Sequence, residues 1–289
     1  MTEIGGVAAA LLGSVLGGTA IAGTRFVVGA IDPLNVAMLR YGIGALLLLP
    51  FAARALPKLE GAADLARTLA LGLLFFALYP YAFALALAHT TAVRGALALS
   101  SMPLLTLAFA VLLRREPFTW RGAIGISLAV AGLAFALSPR LGGAAAGAWK
   151  GDLIMVAAAA MQSVYNVLSR PYIVRIGALP FTSFGMLVGA LTLLVVCLLT
   201  GKVSELHGLQ SVEWGAIVYL GVFGGAVLWV LWAIGLRFAR PSMVALTNTV
   251  NTLTASFLGA MLLGETVGPA FVIGFIAVIA GIAIALKRP

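Results

Sequence analysis

The sequence predicts an all-α membrane protein of ten transmembrane helices, arranged as two inverted five-helix repeats. Three observations predict it. Hydrophobic residues make up 62% of the 289-residue chain and charged residues only 9%, against about a quarter charged in soluble domains. So few charges cannot cover a water-facing surface, and lipid must be the solvent. Apolar stretches of roughly 20 residues, long enough to cross a bilayer as a helix, follow one another with short connections. Finally, the chain repeats itself. Val7-Ala8-Ala9-Ala10 with Ser14-Val15 returns 149 residues later as Val156-Ala157-Ala158-Ala159 with Ser163-Val164. The same offset pairs Gly72 with Gly221, Ala96-Leu97 with Ala245-Leu246, Glu116 with Glu265, Gly125 with Gly274 and Ala131-Gly132 with Ala280-Gly281, apart from a slip of two residues around Pro33 and Pro180. Two structural repeats in a bilayer are a common transporter plan; the repeats are read as residues 1–140 and 150–289.

The first span, about 4–27, begins Met1-Thr2-Glu3 and lacks the basic start of a signal peptide. It is mirrored by the sixth, about 151–173, so it is read as a retained helix. Its small residues Gly13, Gly17, Gly18, Thr19 and Gly23 allow close helix approach. The second, about 34–53, opens after Asp32-Pro33. The third, about 65–87, follows Pro57, and the fourth, about 92–113, ends before Glu116-Pro117. Pro80 and Pro103 lie inside these two and are expected to bend them as hinges. The fifth runs about 119–138, up to Pro139. The seventh, about 181–200, follows Pro180; the eighth covers about 213–236. The ninth, about 242–263, follows Pro241, and the tenth, about 267–286, starts around Gly268-Pro269. Prolines between apolar runs sit where helix interruption costs least.

Loop charges orient the chain. Ten spans put Arg54, Lys58, Arg67, Arg114, Arg115, Arg121, Arg170, Arg175, Arg237, Arg240, Lys287 and Arg288 on the face that holds both termini, and Arg25, Arg94, Arg140, Lys150 and Lys202 on the other. Basic residues in short loops favour the cytoplasm, so both termini are expected in the cytoplasm. The net charge of +9 is thus an orientation signal, and no nucleic-acid partner is expected. Five helices per repeat is an odd number, so the second repeat enters from the opposite side, with Glu116 inside and Glu265 outside. The single cysteine, Cys197, lies in an apolar run and is read as a buried spectator.

With Pro33…Leu39-Arg40, Tyr81-Ala82-Phe83-Ala84-Leu85, the run through Ala92, Ala96 and Pro103 to Arg115-Glu116-Pro117, and Gly125…Ala131-Gly132, the chain resembles the drug/metabolite transporter superfamily and its EamA-type two-repeat exporters. In the second half Leu236…Ala245…Gly264-Glu265 and Gly274…Ala280-Gly281 have the same form. The nearest likeness within the superfamily is to bacterial aromatic amino-acid exporters. The resemblance implies secondary transport by alternating access. It also implies a central cavity walled by the third, fourth, eighth and ninth helices, with the first and sixth nearby, and an outward direction of transport. Where the first repeat has Arg40 the slipped alignment places Leu187, so any role of Arg40 is one-sided.

Polar side chains in a bilayer core are costly unless satisfied, so their positions nominate the solute site. Asn248 and Asn251 are three residues apart, on one face of the ninth helix. Their donors and acceptors suit a zwitterion, although Asn also bridges packed membrane helices. Gln162, Tyr165 and Asn166 share a face of the sixth helix, opposite Gly13, Leu16 and Gly17 in the first repeat; they are read either as solute ligands or as a packing network. Tyr79 and Tyr81, flanking Pro80, and Trp229 and Trp232 offer rings for a flat solute, or else fill the core and interfaces. Arg40, some seven residues into its helix, is expected to snorkel, to pair with Asp32 or to attract a carboxylate. His89, at a helix end, either titrates near neutrality or caps that end.

No Asp or Glu falls in the middle of a span. Ion-driven carriers usually place such an acid on the pathway, so a midplane carboxylate proton relay is not expected. Two histidines, one cysteine and no core acids leave no credible catalytic, metal or cofactor site. A membrane-embedded enzyme is therefore disfavoured, and a channel suits inverted repeats less well than a carrier. The expected partners are the lipid bilayer and a small-molecule solute. Aromatic amino acids lead, followed by other amino acids, then hydrophobic amines or drugs. Sugar phosphates would need more cavity cations than Arg40. The two repeats form a complete unit, so a monomer suffices.

Overall fold

A computed structural model describes residues 2–138, 147–202, 209–254 and 269–286. Among them every regular element is helical. The first half holds α1 (Glu3–Val27), α2 (Pro33–Ala52), α3 (Ala62–Leu73), α4 (Tyr79–His89), α5 (Ala92–Leu99), α6 (Met102–Leu112) and α7 (Trp120–Leu137). The second holds α8 (Ala148–Ile176), α9 (Ala178–Leu199), α10 (Ser211–Tyr219), α11 (Leu228–Phe238), α12 (Pro241–Leu246), α13 (248–254) and α14 (Pro269–Leu286). Among the described residues six helical stretches are long and apolar enough to cross a membrane: Glu3–Val27, Pro33–Leu56, Ala62–His89, Ala148–Ile176, Ala178–Leu199 and Ser211–Phe238. Leu97–Leu112, Trp120–Phe135 and Val272–Ala285 are shorter apolar helical stretches. This is a multi-pass membrane protein.

Helix starts follow their capping chemistry. Asp32 accepts from the Leu34 amide at 2.8 Å, with Pro33 in the first helical turn, where a missing N–H costs nothing. Pro241 opens α12 in the same way, and the Glu116 carboxylate accepts from the Ser242 amide at 3.0 Å and its hydroxyl at 2.5 Å. Pro180, expected between helices, lies in the first turn of α9; the separation from α8 is made by Gly177 at φ 108°. Pro50 and Pro171, not singled out as bends, also lie inside helices.

The expected bend at Pro80 takes a specific form. A proline ring collides with the carbonyl four residues back, here that of Phe76. The chain opens one wide, π-type turn, Leu74–Leu78, in which the Tyr79 amide donates to the Leu74 carbonyl. The second half repeats this turn over Leu220–Val227, where the Leu228 amide donates to the Phe223 carbonyl. Both ends of this bond lie 149 residues after their counterparts, yet no proline is present. Here the turn passes close to another backbone: a Cβ on Gly225 would stand 2.9 Å from the Arg40 carbonyl oxygen.

The fourth and ninth stretches, expected as continuous helices, are each broken. The fourth breaks at Ser100 and Ser101, whose hydroxyls donate to the Leu97 and Ala98 carbonyls. Pro103 therefore stands in the first turn of α6 rather than mid-helix. The ninth breaks at Thr247, whose hydroxyl donates to the Val244 carbonyl at 2.7 Å. Glu265 and the end of the expected ninth span lie outside the described residues.

Packing between the halves is reciprocal. The last helices of the halves, α7 and α14, pack on each other, as do α2 and α9. α1 packs on α11 as α8 packs on α4, and the turn at 220–227 lies on α2 as that at 74–78 lies on α9. Along α7 and α14 the contacts run in opposite directions. A Cβ on Gly125 would lie 2.6 Å from the Gly281 carbonyl oxygen, and one on Gly132 would lie 2.6 Å from Ala277 Cβ and 3.1 Å from the Gly274 oxygen.

Polar ties sort the connections into two sets. At one end Arg240 pairs with Glu3, Lys58 donates to the Ile176 carbonyl, Arg175 pairs with Asp64 and Glu60, and Glu116 holds Ser242. At the other, Arg25 donates to the Leu87 carbonyl, Arg94 pairs with Asp152, and Lys202 pairs with Asp32.

Candidate functional site

Where α1, α2, α4, α8, α11 and α13 meet, they enclose a small buried cavity. Its polar lining comprises Ser14, Arg40, Gln162, Asn248 and Asn251, and its rings are those of Tyr79, Phe83, Trp229 and Trp232. Of the residues nominated from sequence, Tyr79, Gln162, Trp229, Trp232, Asn248, Asn251 and Arg40 meet here. The enclosed volume is about 30 Å³, enough for about one or two waters and too small for an amino acid.

Packing explains how these side chains come together. α1 approaches α13 so closely that a Cβ on Gly17 would lie 2.5 Å from the Asn251 amide nitrogen, so glycine there leaves room for a polar side chain. Ser14 and Thr247 join their hydroxyls at 3.0 Å beside it. Asn251 donates to the Asn248 side-chain carbonyl at 3.2 Å. That bond leaves Asn248 Nδ2 and Asn251 Oδ1 unpartnered, together with Gln162 Oε1 and Arg40 Nε. All four residues are at least nine-tenths buried. An amide pair bonded to itself keeps one spare donor and one spare acceptor whichever way its nitrogens are assigned.

Arg40 neither snorkels nor pairs with Asp32, which is held by Lys202. Its guanidinium turns inward, donating to the Gly224 carbonyl at 2.7 Å and to Thr24 Oγ1 at 3.4 Å. The wide turn at 220–227 presents that carbonyl, so the backbone irregularity positions the one charge among the described residues that line the cavity.

Tyr165 and Asn166 stand one layer behind. Asn166 accepts from Trp232 Nε1 at 2.9 Å, an interhelical bond that orients the indole. Tyr165 stacks on Phe75 with ring centroids 3.9 Å apart and planes 11° from parallel. Phe75, fully buried, also stacks on Tyr79 and meets Trp229 edge to face. Sequence reasoning did not identify Phe75 as the centre of the cluster. The available signal was the spacing Phe75, Tyr79, Phe83, four residues apart on one helix face. Tyr81 points the other way, into a separate cluster with Leu34, Met38 and Leu193. His89 is exposed at the end of α4, away from the cavity. Pro80 acts through the wide turn that sets Tyr79.

The chain matches the model of the EamA-like transporter family twice, over residues 4–138 and 149–287. An uncharacterized transporter, YyaM of Bacillus subtilis (strain 168), is 26% identical over 94% of this chain and 90% of its own length. An uncharacterized transporter of Archaeoglobus fulgidus is 28% identical over 98% of this chain and 97% of its own. A protein of Streptantibioticus cattleyicolor named "Probable terminal-alkyne amino-acid exporter" is 26% identical over 69% of this chain and 66% of its own. A solved crystal structure, 23% identical, shares the fold with a TM-score of 0.75 over 98% of this chain and 95% of that one. With both halves matched almost end to end, the chain belongs to the EamA-like transporter family and is a membrane transporter, not an enzyme.

Proposed function

We propose that the protein is a carrier that exports small zwitterionic metabolites, amino acids with aromatic ones favoured, across the bacterial cytoplasmic membrane by alternating access. The observation that carries this reading is the set of unpartnered buried polar atoms around one cavity: Arg40 Nε and Asn248 Nδ2 as donors, Gln162 Oε1 and Asn251 Oδ1 as acceptors. A buried polar atom without a partner costs about 1–3 kcal/mol, and an α-amino acid supplies what is missing. Its carboxylate accepts from the donors and its ammonium donates to the acceptors. The rings of Tyr79, Trp229 and Trp232 give a flat side chain surfaces to lie against. A relative named as an amino-acid exporter is consistent with that class.

In this reading ten spans form two inverted repeats, 1–140 and 150–289, with both termini cytoplasmic. The reciprocal packing of α7 with α14 and α2 with α9, and the opposed direction of the glycine contacts, support inversion. The two sets of polar ties match the two loop sets that ten spans require, and the richer basic content of the set holding the N-terminus supports its cytoplasmic placement. Among the described residues no carboxylate lines the cavity, which favours movement down the solute's own gradient.

Counterflow in proteoliposomes tests this. Vesicles preloaded with unlabelled phenylalanine should take up labelled phenylalanine with saturation. Competition should be strongest from aromatic amino acids, and an imposed pH gradient should change accumulation little. Flux that never saturates would make the protein a channel. Exchange of no amino acid would overturn the substrate class, and several-fold uphill accumulation on a pH gradient would overturn the uncoupled mechanism.

A further inference from the structure

A cleft of about 910 Å³ opens between α3 and α8, at the end of the molecule that gathers Glu3, Lys58, Glu116 and Arg240. Arg67, Arg115 and Arg175 line it together with Leu71, Leu168 and Tyr172. Arg175 is held by Glu60 and Asp64. Arg67 and Arg115 are exposed where they line the cleft.

Positions 149 residues away, at the opposite end, are shut. Ala70 and Leu168 line the cleft; their counterparts Tyr219 and Thr19 are hydrogen-bonded at 2.5 Å. Leu71 and Tyr172 line it too, and of their counterparts a Cβ on Gly23 would stand 3.1 Å from Leu220 Cδ2. When repeats exchange conformations, one mouth opens as the other closes; here the open one is at the arginine end.

The cleft leads towards the cavity. On α8, Gln162 lines the cavity and Leu168 the cleft, and Tyr165 lies midway, about 4.5 Å along the helix from each. On the facing segment Leu71 lines the cleft and Tyr79 the cavity, with Phe75 between them. The rings of Phe75 and Tyr165 are the stacked pair of the aromatic cluster. The counterparts of this pair are Gly224 and Leu16, so these two described positions form no such stack.

The geometry points to this cleft as a first docking site for the solute: Arg67 and Arg115 take its carboxylate, Leu71, Leu168 and Tyr172 its side chain, and the Phe75–Tyr165 stack is the gate it passes next. The inference rests on the carrier reading, and it adds a second site and a resting state open to the cytoplasm.

Cysteine protection tests it. In a Cys197→Ser background, Leu168→Cys should react with a membrane-impermeant thiol reagent from the same side as Ala63→Cys, an exposed marker of this end. Thr19→Cys should react at least tenfold more slowly from its own side. L-phenylalanine should slow labelling of Leu168→Cys several-fold, and L-phenylalaninamide, which lacks the carboxylate, should not. Arg67→Gln with Arg115→Gln should abolish the protection. If Leu168→Cys does not fold, Leu74→Cys on the opposite wall takes its place. An unreactive cleft, equal reactivity at Thr19→Cys, or equal protection by the amide would overturn the proposal. Protection without counterflow would sink the carrier reading and leave the docking site standing; counterflow without protection would sink the docking site alone.

Discussion

Among the individual residues, two asparagines that look alike in sequence part company. Asn166 spends its carbonyl on Trp232, so its work is to hold the indole between α8 and α11. Asn248 keeps an unpartnered Nδ2 at the cavity. Asn166→Ala should therefore cost stability, about 1–3 kcal/mol for the stranded indole N–H, seen as a lower midpoint in detergent unfolding. Asn248→Ala strands a donor too, the Asn251 amide that bonds to its carbonyl, so it should also lower the midpoint. It should in addition cut counterflow about tenfold, the size of one lost charge-assisted hydrogen bond, whereas Asn166→Ala should not. Equal effects on both measurements for both variants would return Asn248 to the packing network. Sequence reasoning nominated both because spacing along one helix gives a face and not a partner. Which Asn meets an indole depends on α11, 66 residues away in sequence. Tyr81 shows the same limit. Its neighbours Tyr79 and Phe83 reach the cavity, whereas the helix turn carries Tyr81 towards α2 and α9. Arg40 was legible as one-sided from its Leu187 counterpart, but its inward turn depends on a carbonyl that no local pattern announces.

For whole elements, the contrast is between breaks with a local cause and breaks with a tertiary one. Pro80 makes the wide turn at 74–78 foreseeable as a bend. The equivalent turn at 220–227 has glycines and no proline, and it forms where the α2 backbone presses against Gly225. The interruption at Thr247 was likewise hidden, since a threonine hydroxyl bonded within its own helix is ordinary. The glycine pattern of the fifth and tenth spans was visible as a repeat and turns out to be a close crossing. A Cβ at position 125 would meet the Gly281 oxygen at 2.6 Å and the Ala285 nitrogen at 2.8 Å, both backbone atoms that no rotamer change can move. Gly125→Ala should thus force α7 and α14 apart at a cost of about 1–3 kcal/mol, measured as lost thermal stability in detergent. Gly42→Ala, with nothing within 4 Å of the new methyl group, is the control and should be neutral or mildly stabilising. Similar losses from both would mean that the crossing is loose and the glycines are incidental.

Across the whole molecule, the offset of 149 residues that opens the sequence returns as geometry: two wide turns at equivalent places, two broken helices, and contacts that pair each half with the other reciprocally. Reciprocity of this kind, residue i against j′ and j against i′, is how a two-fold axis is written in contacts. For repeats with five spans each, such an axis has to lie in the membrane plane, because equivalent helices then run in opposite directions. The chemistry of the halves does not follow the symmetry. Gln162, Tyr165 and Asn166 have Gly13, Leu16 and Gly17 as repeat counterparts, and Arg40 has Leu187; on the carrier reading proposed above, an asymmetric solute would meet one preferred orientation. The orientation of the frame is testable at a single pair of equivalent positions. Ala63 and Val212 lie 149 residues apart, and both are exposed near a helix start. If the repeats are inverted, an impermeant thiol reagent added to intact cells should modify Val212→Cys and leave Ala63→Cys untouched until the membrane is permeabilised. Modification of both from outside would place the two halves the same way up. In that arrangement the exchange of repeat conformations could not move an opening from one face to the other, and alternating access would have to be abandoned along with the inversion.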